Sequence, residues 1–251
     1  VIWDKIYKEN TLKTFKELIV KSKKYNPELF IWPETGFPGI LKFEMNKIKK
    51  IAKWCNDIKA YNLIGSDNIE YTNKERYFFN SAFLIDYNGN IMDHYSKYHL
   101  VPFGEYVPFN EVFPFIKKVV SRFGYYNYSS GKKIEPLKFE DKKLGVLICY
   151  DSLFPEISRE FVKKGAQFLT HISYETWYGY TPASAQIFTN TLLRAIENNV
   201  YLVRTVSAGI SGFVNNKGKI IKTKEVISYL FEWRIPKKLR YLILKLSLIH
   251  I

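Results

Sequence analysis

The chain has 251 residues, 47% hydrophobic and 25% charged, a composition that predicts a globular core and excludes a disordered chain. Lys and Arg number 38 against 24 Asp and Glu, a formal charge of +14. That excess favours an anionic partner such as a phospholipid surface, but compositional drift towards Lys explains it equally well. No RNA-binding aromatic motif, zinc finger or basic helical stripe occurs in the sequence, so we expect no nucleic-acid partner.

The cysteines and the lengths of the apolar runs indicate whether metal sites, disulfides or membrane-spanning segments are expected. Only Cys55 and Cys149 occur, without a metal-binding spacing or a disulfide framework, so we expect neither a metal nor a cofactor. Cys55 lies on the apolar face of a helical pattern and is interpreted as a small core residue. No run of 18 apolar residues occurs, so no segment is expected to span a bilayer alone. The apolar stretch 239–251 is open to three interpretations: a last strand, an interfacial segment or the start of a membrane helix.

The first part of the chain alternates helical and extended patterns. The predicted elements are a helix at 11–24, a strand at 29–32, a helix at 45–60 and a strand at 62–66. Two apolar runs around Asn88-Gly89 then predict a hairpin over 78–95.

The middle of the chain, 97–131, combines prolines, glycines and many aromatic residues, which predicts a long irregular loop of functional or mobile character. The elements predicted after it are strand 144–149, helix 154–164, strand 167–172, helix 182–198, strand 200–206 and a hairpin over 211–221. Helices that alternate with strands, together with hairpins, predict one layered α/β domain with mixed sheets.

Cys149 ends the apolar run LGVLIC, and a helical pattern begins a few residues later. A strand, a sharp turn and a helix in that order expose a nucleophile at the end of the strand. The positive end of the helix dipole would favour the thiolate over the thiol. The same local pattern is equally typical of a buried structural cysteine.

Two further motifs carry groups that such a nucleophile needs. Glu34 follows the buried run FIWP, where partial burial would raise its pKa and suit a general base. Lys97 follows a predicted strand and lies among aromatic residues, where its ammonium would stabilise an oxyanion. Glu105 either buttresses Lys97 or is solvated. Taken alone, each motif is more simply explained by a turn-capping glutamate or a surface lysine.

Two other schemes compete with this one. His94, His99 and His171 suggest a Cys–His pair of the papain type, but no motif around them matches that class, so we interpret them as structural. A non-catalytic module that keeps the fold is the other alternative, and the presence of all three types of reactive group stands against it.

Taken together, the motifs WPE, K-x-H-L-V-P-F-G-E and C-Y-D, in this order, resemble the Glu-Lys-Cys triad of the nitrilase, or carbon–nitrogen hydrolase, superfamily. Within it, the chain is most similar to the apolipoprotein N-acyltransferase family, over about residues 11–225. The similar blocks are IWPETGFP (31–38), YSKYHLVPFGEYVPF (95–109), 145–173 and 190–221. The resemblance implies a four-layer αββα sandwich, with a catalytic domain at 1–235 and a C-terminal apolar segment at 236–251.

The resemblance also implies roles for the residues that match the family's motifs. Glu34 corresponds to the general base, Lys97 to the oxyanion partner and Cys149 to the nucleophile. Glu105 matches the second glutamate of the family, and the backbone N–H of Tyr150 would complete the oxyanion hole.

Some positions depart from the family pattern. Asp151, expected to support the site, stands where the family often has Glu. In YETWYG (174–179), Trp177 matches the family's N-D-x-W-F-G, whereas Glu175 and Tyr178 differ. The residues expected to contact the substrate are Phe103, Trp177 and Tyr178.

The activity implied is transfer of a fatty acyl chain from a phospholipid, through a Cys149 thioester, to the N-terminal amine of a diacylglyceryl-cysteine lipoprotein. The place implied is the bacterial inner membrane, with this domain on its periplasmic face, and the aromatic loop 103–128 would exclude water. The family has membrane helices before and after this domain and a first core strand before Val1. We therefore expect a piece of a longer protein, or a truncated one with an exposed edge strand. The alternative is a soluble amidase or nitrilase that uses the same triad with water as acceptor.

Overall fold

Strands and helices alternate along the chain in this computed structural model, which describes residues 5–108, 127–178 and 181–226. The described α-helices are α1 (Lys5–Ser22), α2 (Met45–Cys55), α3 (Pro155–Lys163) and α4 (Ala183–Asn198). The described strands are β1 (Leu29–Ile31), β2 (Tyr61–Thr72), β3 (Glu75–Ile85), β4 (Ile91–Ser96), β5 (Leu137–Phe139), β6 (Lys142–Ile148), β7 (Phe168–Ser173), β8 (Tyr201–Val206), β9 (Gly209–Val214) and β10 (Ile220–Val226).

The first sheet has the strand order β1-β2-β3-β4, with β1 parallel to β2 and the other pairs antiparallel. The β2–β3 hairpin turns at Asn73 and Lys74, whose φ angles are 52° and 67°. Sequence reasoning missed this turn because Asn-Lys lacks the glycine that usually marks a two-residue hairpin. The strand predicted to end at residue 66 therefore continues to Thr72.

The second sheet has the order β10-β9-β8-β7-β6-β5. Its centre, β6-β7-β8, is parallel, and antiparallel strands flank it on both sides. Helices α3 and α4 make the two crossovers that the parallel strands require. The sequence patterns did not predict β5, because three residues are too few to show a strand period.

Alternating side chains place the two sheets between helices. In β2, Leu63 packs in the core that also holds Val146 of β6, whereas Ile64 packs in a second core with Ile48 of α2. On the far side of the second sheet, α3 approaches so closely that a Cβ on Gly145 would lie 2.8 Å from the Phe161 side chain. The predicted four-layer αββα arrangement with mixed sheets is confirmed.

Part of the sequence-based interpretation falls outside the described residues. This applies to most of the aromatic loop (109–126) and to the segment 236–251, so the domain boundary at 235 stays a prediction. Within the ranges that are described, no helix combines the length and apolar character that a bilayer crossing requires.

Candidate active site

Glu34 lies just beyond the end of β1 and is only 5% exposed. The chain passes so close to β2 that a Cβ on Gly65 would lie 2.8 Å from the Glu34 Cα. The carboxylate accepts two short hydrogen bonds, from Nδ2 of Asn80 at 2.6 Å and from the backbone N–H of Tyr174 at 2.6 Å. Burial raises the pKa of Glu34 above its ordinary value, although the charge of Lys97 and both hydrogen bonds oppose the rise. The expected buried carboxylate with a raised pKa is present.

Lys97 follows β4 directly and is 1% exposed, so it is not one of the many surface lysines. Its Nζ lies 2.8 Å from both carboxylate oxygens of Glu105 and 3.9 Å from Oε1 of Glu34. Burial lowers the pKa of Lys97, but the negative charges of Cys149, Glu34 and Glu105 outweigh it and raise the pKa well above its ordinary value. The lysine is therefore an ammonium at any physiological pH.

Glu105 holds the lysine rather than facing solvent. One of its oxygens accepts a hydrogen bond from the Val101 N–H at 2.8 Å, and the other is 3.3 Å from Nδ2 of Asn80. Of the two interpretations of Glu105, the buttress to Lys97 is the one that the contacts support.

Cys149 begins a short 3-10 turn, Cys149–Leu153, at the end of β6, and it is 8% exposed. Its φ of 50° lies in the left-handed region, which is strained for a residue with a Cβ and is often found where a nucleophile is exposed on a tight turn. Burial raises the pKa of the thiol to about 12, the charge of Glu34 adds to the rise, and Lys97 opposes it.

The expected preference for thiolate is therefore wrong for the resting site. Cys149 is not a residue of helix α3, which begins only at Pro155. The thiol is protonated at neutral pH, and it needs a base at the moment of attack.

Asp151 is fully buried and fixes the turn instead of contacting the thiol. It accepts hydrogen bonds from the Tyr95 hydroxyl at 2.9 Å, the His99 N–H at 2.8 Å and the Ile148 N–H at 3.3 Å. Tyr95 and His99 flank Lys97 in the chain, so Asp151 ties the cysteine turn to the segment that carries the lysine. Burial raises the pKa of Asp151 to about 6, against the pull of these donors.

The residues expected to contact the substrate differ in their exposure and in their position relative to the Cys149 thiol. Phe103 lies in the loop after Lys97, is 64% exposed and has a φ of 60°. Tyr178 is half-buried near the thiol, and its pKa is raised by burial and then by the charge of Cys149. Trp177 lies in the short turn Thr176–Tyr178, and its side chain is outside the described part of the structure. The Tyr150 ring packs edge-on against Phe154 at 5.1 Å.

The Cys–His alternative finds no support in the contacts of the described histidines. Nε2 of His94 is 3.1 Å from Glu70, and the His99 ring stacks on Phe154 at 3.8 Å. His171 reaches Cys149, but its Nε2 lies 3.1 Å from the backbone oxygen rather than bonding to the sulfur.

Sequence reasoning missed two sets of residues around the site. Asn80 of β3 bridges Glu34 and Glu105, and its backbone oxygen accepts the N–H of Lys97 at 2.8 Å. The other set is a buried polar chain behind the cysteine, formed by Glu175, Arg204 and His171. The signal available was a polar residue inside an apolar strand, as in FFNSAF and YLVRTV, because such a residue must find a buried partner.

Comparison with known proteins gives a consistent picture. The family model described as carbon-nitrogen hydrolase matches residues 4–229. An apolipoprotein N-acyltransferase of Geobacter metallireducens is 33% identical over 219 residues, which cover 87% of this chain and 42% of the relative. One of Rhizobium rhizogenes is 31% identical over 199 residues, covering 78% of this chain and 37% of the relative.

Solved structures support the fold. The crystal structure of a carbon-nitrogen hydrolase from Helicobacter pylori superposes with a TM-score of 0.67 at 16% identity, covering 88% of this chain and 82% of that one. At that identity the likeness concerns the fold alone. The chain spans about two fifths of the length of the curated relatives named above.

Proposed function

This chain belongs to the carbon–nitrogen hydrolase family, and on that basis we propose that it transfers a fatty acyl chain from a phospholipid to the N-terminal amine of a diacylglyceryl-cysteine lipoprotein. Cys149 is the nucleophile that carries the acyl group as a thioester, Glu34 is the general base, and Lys97 stabilises the oxyanion. The observation that carries the chemical part of the proposal is the cluster of Glu34, Lys97 and Cys149, in which all three residues are buried and the Lys97 ammonium lies 3.9 Å from the Glu34 carboxylate.

In the first half-reaction, Glu34 takes the thiol proton as the sulfur attacks the ester carbonyl. The negative charge that develops on the carbonyl oxygen is held by the Lys97 ammonium and the Tyr150 N–H. The C–O bond breaks, the lysophospholipid oxygen receives the proton from Glu34, and the thioester remains on Cys149. A thiol with a pKa of about 12 reacts slowly unless a base removes its proton, which limits side reactions.

In the second half-reaction, the neutral amine attacks the thioester carbonyl, and Glu34 accepts the proton that the nitrogen loses. The C–S bond breaks as the amide forms, and Glu34 returns the proton to the departing sulfur. The same oxyanion donors serve both steps, so neither a metal nor a cofactor is required.

The names of the curated relatives support this acceptor over water, because their identity to this chain exceeds that of the hydrolase structures. The excess of 14 positive charges suits a surface of anionic phospholipid. We place the activity at the bacterial inner membrane with this domain on the periplasmic face. A soluble amidase or nitrilase is the second candidate, and it shares every group in the cluster.

The test is to incubate the protein with phospholipid that carries a labelled acyl chain. We expect wild type and Cys55→Ala to carry an acyl label that hydroxylamine removes. We expect no label on Cys149→Ala. Glu34→Gln should fold normally and fail to turn over. Label retained by Cys149→Ala, or full turnover by Glu34→Gln, would overturn the assignment of the nucleophile or of the base.

A second measurement separates the transferase from the hydrolase. With a diacylglyceryl-cysteine peptide as acceptor, we expect the label to appear mainly as N-acyl peptide. Release of the label as free fatty acid at an unchanged rate, with or without the peptide, favours the hydrolase.

A further inference from the structure

The His171 ring has three hydrogen-bonding neighbours: the Arg204 guanidinium and the Thr191 hydroxyl at Nδ1, and the Cys149 carbonyl at Nε2. His171 and Arg204 are register partners on β7 and β8, and Nε of Arg204 lies 3.1 Å from Nδ1 of the ring. On the other side, Nε2 lies 3.1 Å from the backbone oxygen of Cys149. Because a guanidinium cannot accept and a carbonyl cannot donate, both contacts require the proton on Nε2. The neutral ring therefore donates to the Cys149 carbonyl.

Buried contacts of Arg204 fix its guanidinium against the His171 ring. Arg204 is 0% exposed, and its guanidinium donates to a carboxylate oxygen of Glu175 and to the backbone oxygen of Ile210. Burial, and then the charge of Arg204, lower the pKa of His171 well below its ordinary value. The ring is therefore neutral near pH 7, and its contacts keep the proton on Nε2.

The Cys149 carbonyl belongs to the same peptide unit as the Tyr150 N–H. A trans peptide is planar, so its C=O and N–H point in opposite directions, and fixing one fixes the other. Two donors hold this carbonyl, Nε2 of His171 at 3.1 Å and the Ser152 hydroxyl at 2.9 Å. Tyr150 is the second residue of a 3-10 turn, and an N–H at that position has no partner within the turn, so it can donate to an oxyanion.

We propose that His171 is a positioning residue for the oxyanion hole. By donating to the Cys149 carbonyl, it sets the direction of the Tyr150 N–H, and it polarises the peptide so that this N–H donates more strongly. The inference rests on the part of the proposed function that assigns the Tyr150 N–H to the oxyanion, and it does not depend on which acyl donor or acceptor is used.

The test compares two reactions of the same sulfur in the intact protein. Acylation by p-nitrophenyl butyrate passes through an oxyanion, whereas alkylation by iodoacetamide does not. For His171→Leu, we expect the burst of p-nitrophenol to slow about tenfold to a hundredfold, because an oriented donor is lost. Alkylation of Cys149, followed by peptide mass spectrometry, should stay within about twofold of wild type, since loss of an oxyanion-hole donor does not affect it.

Two variants serve as controls. His171→Gln keeps an N–H that can reach the carbonyl, so it should recover most of the burst rate. His94→Leu removes a histidine whose contacts are with Glu70 and the Phe83 ring, so it should change neither reaction.

Each outcome decides the matter. Equal loss of acylation and alkylation in His171→Leu means that the ring only supports the fold around Cys149, and an unchanged burst means that it does not act on the oxyanion; either result overturns the proposal. If His171→Leu does not fold, His171→Gln and Ser152→Ala are compared instead. Slower acylation with unchanged alkylation in Ser152→Ala supports control through the Cys149 carbonyl. Equal changes in acylation and alkylation reject it. Absence of a Cys149-dependent burst in wild type would contradict the proposed function itself, a failure distinguishable from the others.

Discussion

Nδ2 of Asn80 lies 2.6 Å from Oε1 of Glu34, whereas the Lys97 ammonium is 3.9 Å from the same oxygen. Among the described residues, the closest side-chain partner of the proposed base is therefore a neutral amide on β3, two strands away from β1. The lysine instead makes its short contacts with Glu105. The hydrogen bond from Asn80 therefore stabilises Glu34 as a carboxylate without a tight ion pair. A tight ion pair with Lys97 would lower the basicity of Glu34 and make it a poor base.

Replacing Asn80 by Leu should move the pH dependence of Cys149 acylation. The Asn80 hydrogen bond lowers the pKa of Glu34, so its loss raises that pKa further above the ordinary value. If Glu34 is the base, the acid limb of the rate profile shifts to higher pH, and the rate near neutral pH falls about tenfold or more. Stopped-flow acylation by an activated ester, measured from pH 5 to 9, gives the profile.

The matched control is Asn68→Leu. Asn68 is also buried in the first sheet, but its amide donates to Glu70 rather than to the site. Its profile should coincide with that of wild type. An acid limb that does not move in Asn80→Leu would show that this amide does not control the protonation of the base.

Replacing Lys97 by Met should destabilise the fold in a pH-dependent manner. The change leaves the buried carboxylates of Glu34 and Glu105 without their ammonium, and we expect a loss of about 3–5 kcal/mol near neutral pH. Without Lys97, the pKa of Glu34 rises further, and a folded-state pKa above the unfolded value means that stability is lost as pH rises. Urea unfolding should therefore show a smaller loss at pH 5 than at pH 8.

Lys142→Met is the control for this prediction, because Lys142 also lies near several carboxylates but at the surface. We expect a change within about 0.5 kcal/mol. A loss for Lys97→Met that is the same at both pH values would mean that Glu34 does not change its protonation state between pH 5 and pH 8 in the variant.

Asp151→Asn should alter the dependence of stability on pH. The folded-state pKa of Asp151, about 6, lies above its ordinary value of 3.8. The contribution of this group to stability is therefore fully present below pH 3.8 and is lost as pH rises through 6. Asn does not titrate, so the free energy of unfolding of wild type relative to the variant should fall by roughly 2–3 kcal/mol between pH 4 and 7.

Asn at this position also faces three donors with a single acceptor oxygen, so it should be less stable than wild type at pH 4, by about 1–3 kcal/mol. Asp141→Asn provides the comparison, because the Asp141 side chain is 85% exposed and should show no such pH-dependent difference. Parallel curves for wild type and Asp151→Asn would place the pKa of Asp151 at its ordinary value.

The two cysteines should differ in their reaction with iodoacetamide. Both thiols have raised pKa values, about 12 for Cys149 and about 11 for Cys55, so labelling should be slow at pH 7 and increase up to pH 10. Cys55, the last residue of α2, is 0% exposed, so we expect it to react only when the protein unfolds, whereas Cys149 reacts in the folded state. Peptide mass spectrometry with and without urea measures both; labelling of Cys149 that is fastest near neutral pH would contradict the raised pKa.

Most elements were predictable because their patterns are local. The helical spacing of α2 and α4 and the apolar run of β6 are each legible within a dozen residues. The extension of β2 to Thr72 was not, because its last six residues are held by pairing with β3 rather than by an apolar pattern of their own.

By itself, the sequence determined which groups are available: a glutamate, a lysine and a cysteine, each placed by a local motif at the end of a strand. Only the tertiary structure decided their state. Residues 46 positions apart, Glu34 and Asn80, form the shortest side-chain contact of the base, and burial by both sheets raises the thiol pKa to about 12 where the local pattern predicted a thiolate. The physical reason is that charge, desolvation and hydrogen bonding depend on distance in space, which β-strand pairing and sheet packing create between residues that are far apart in the chain.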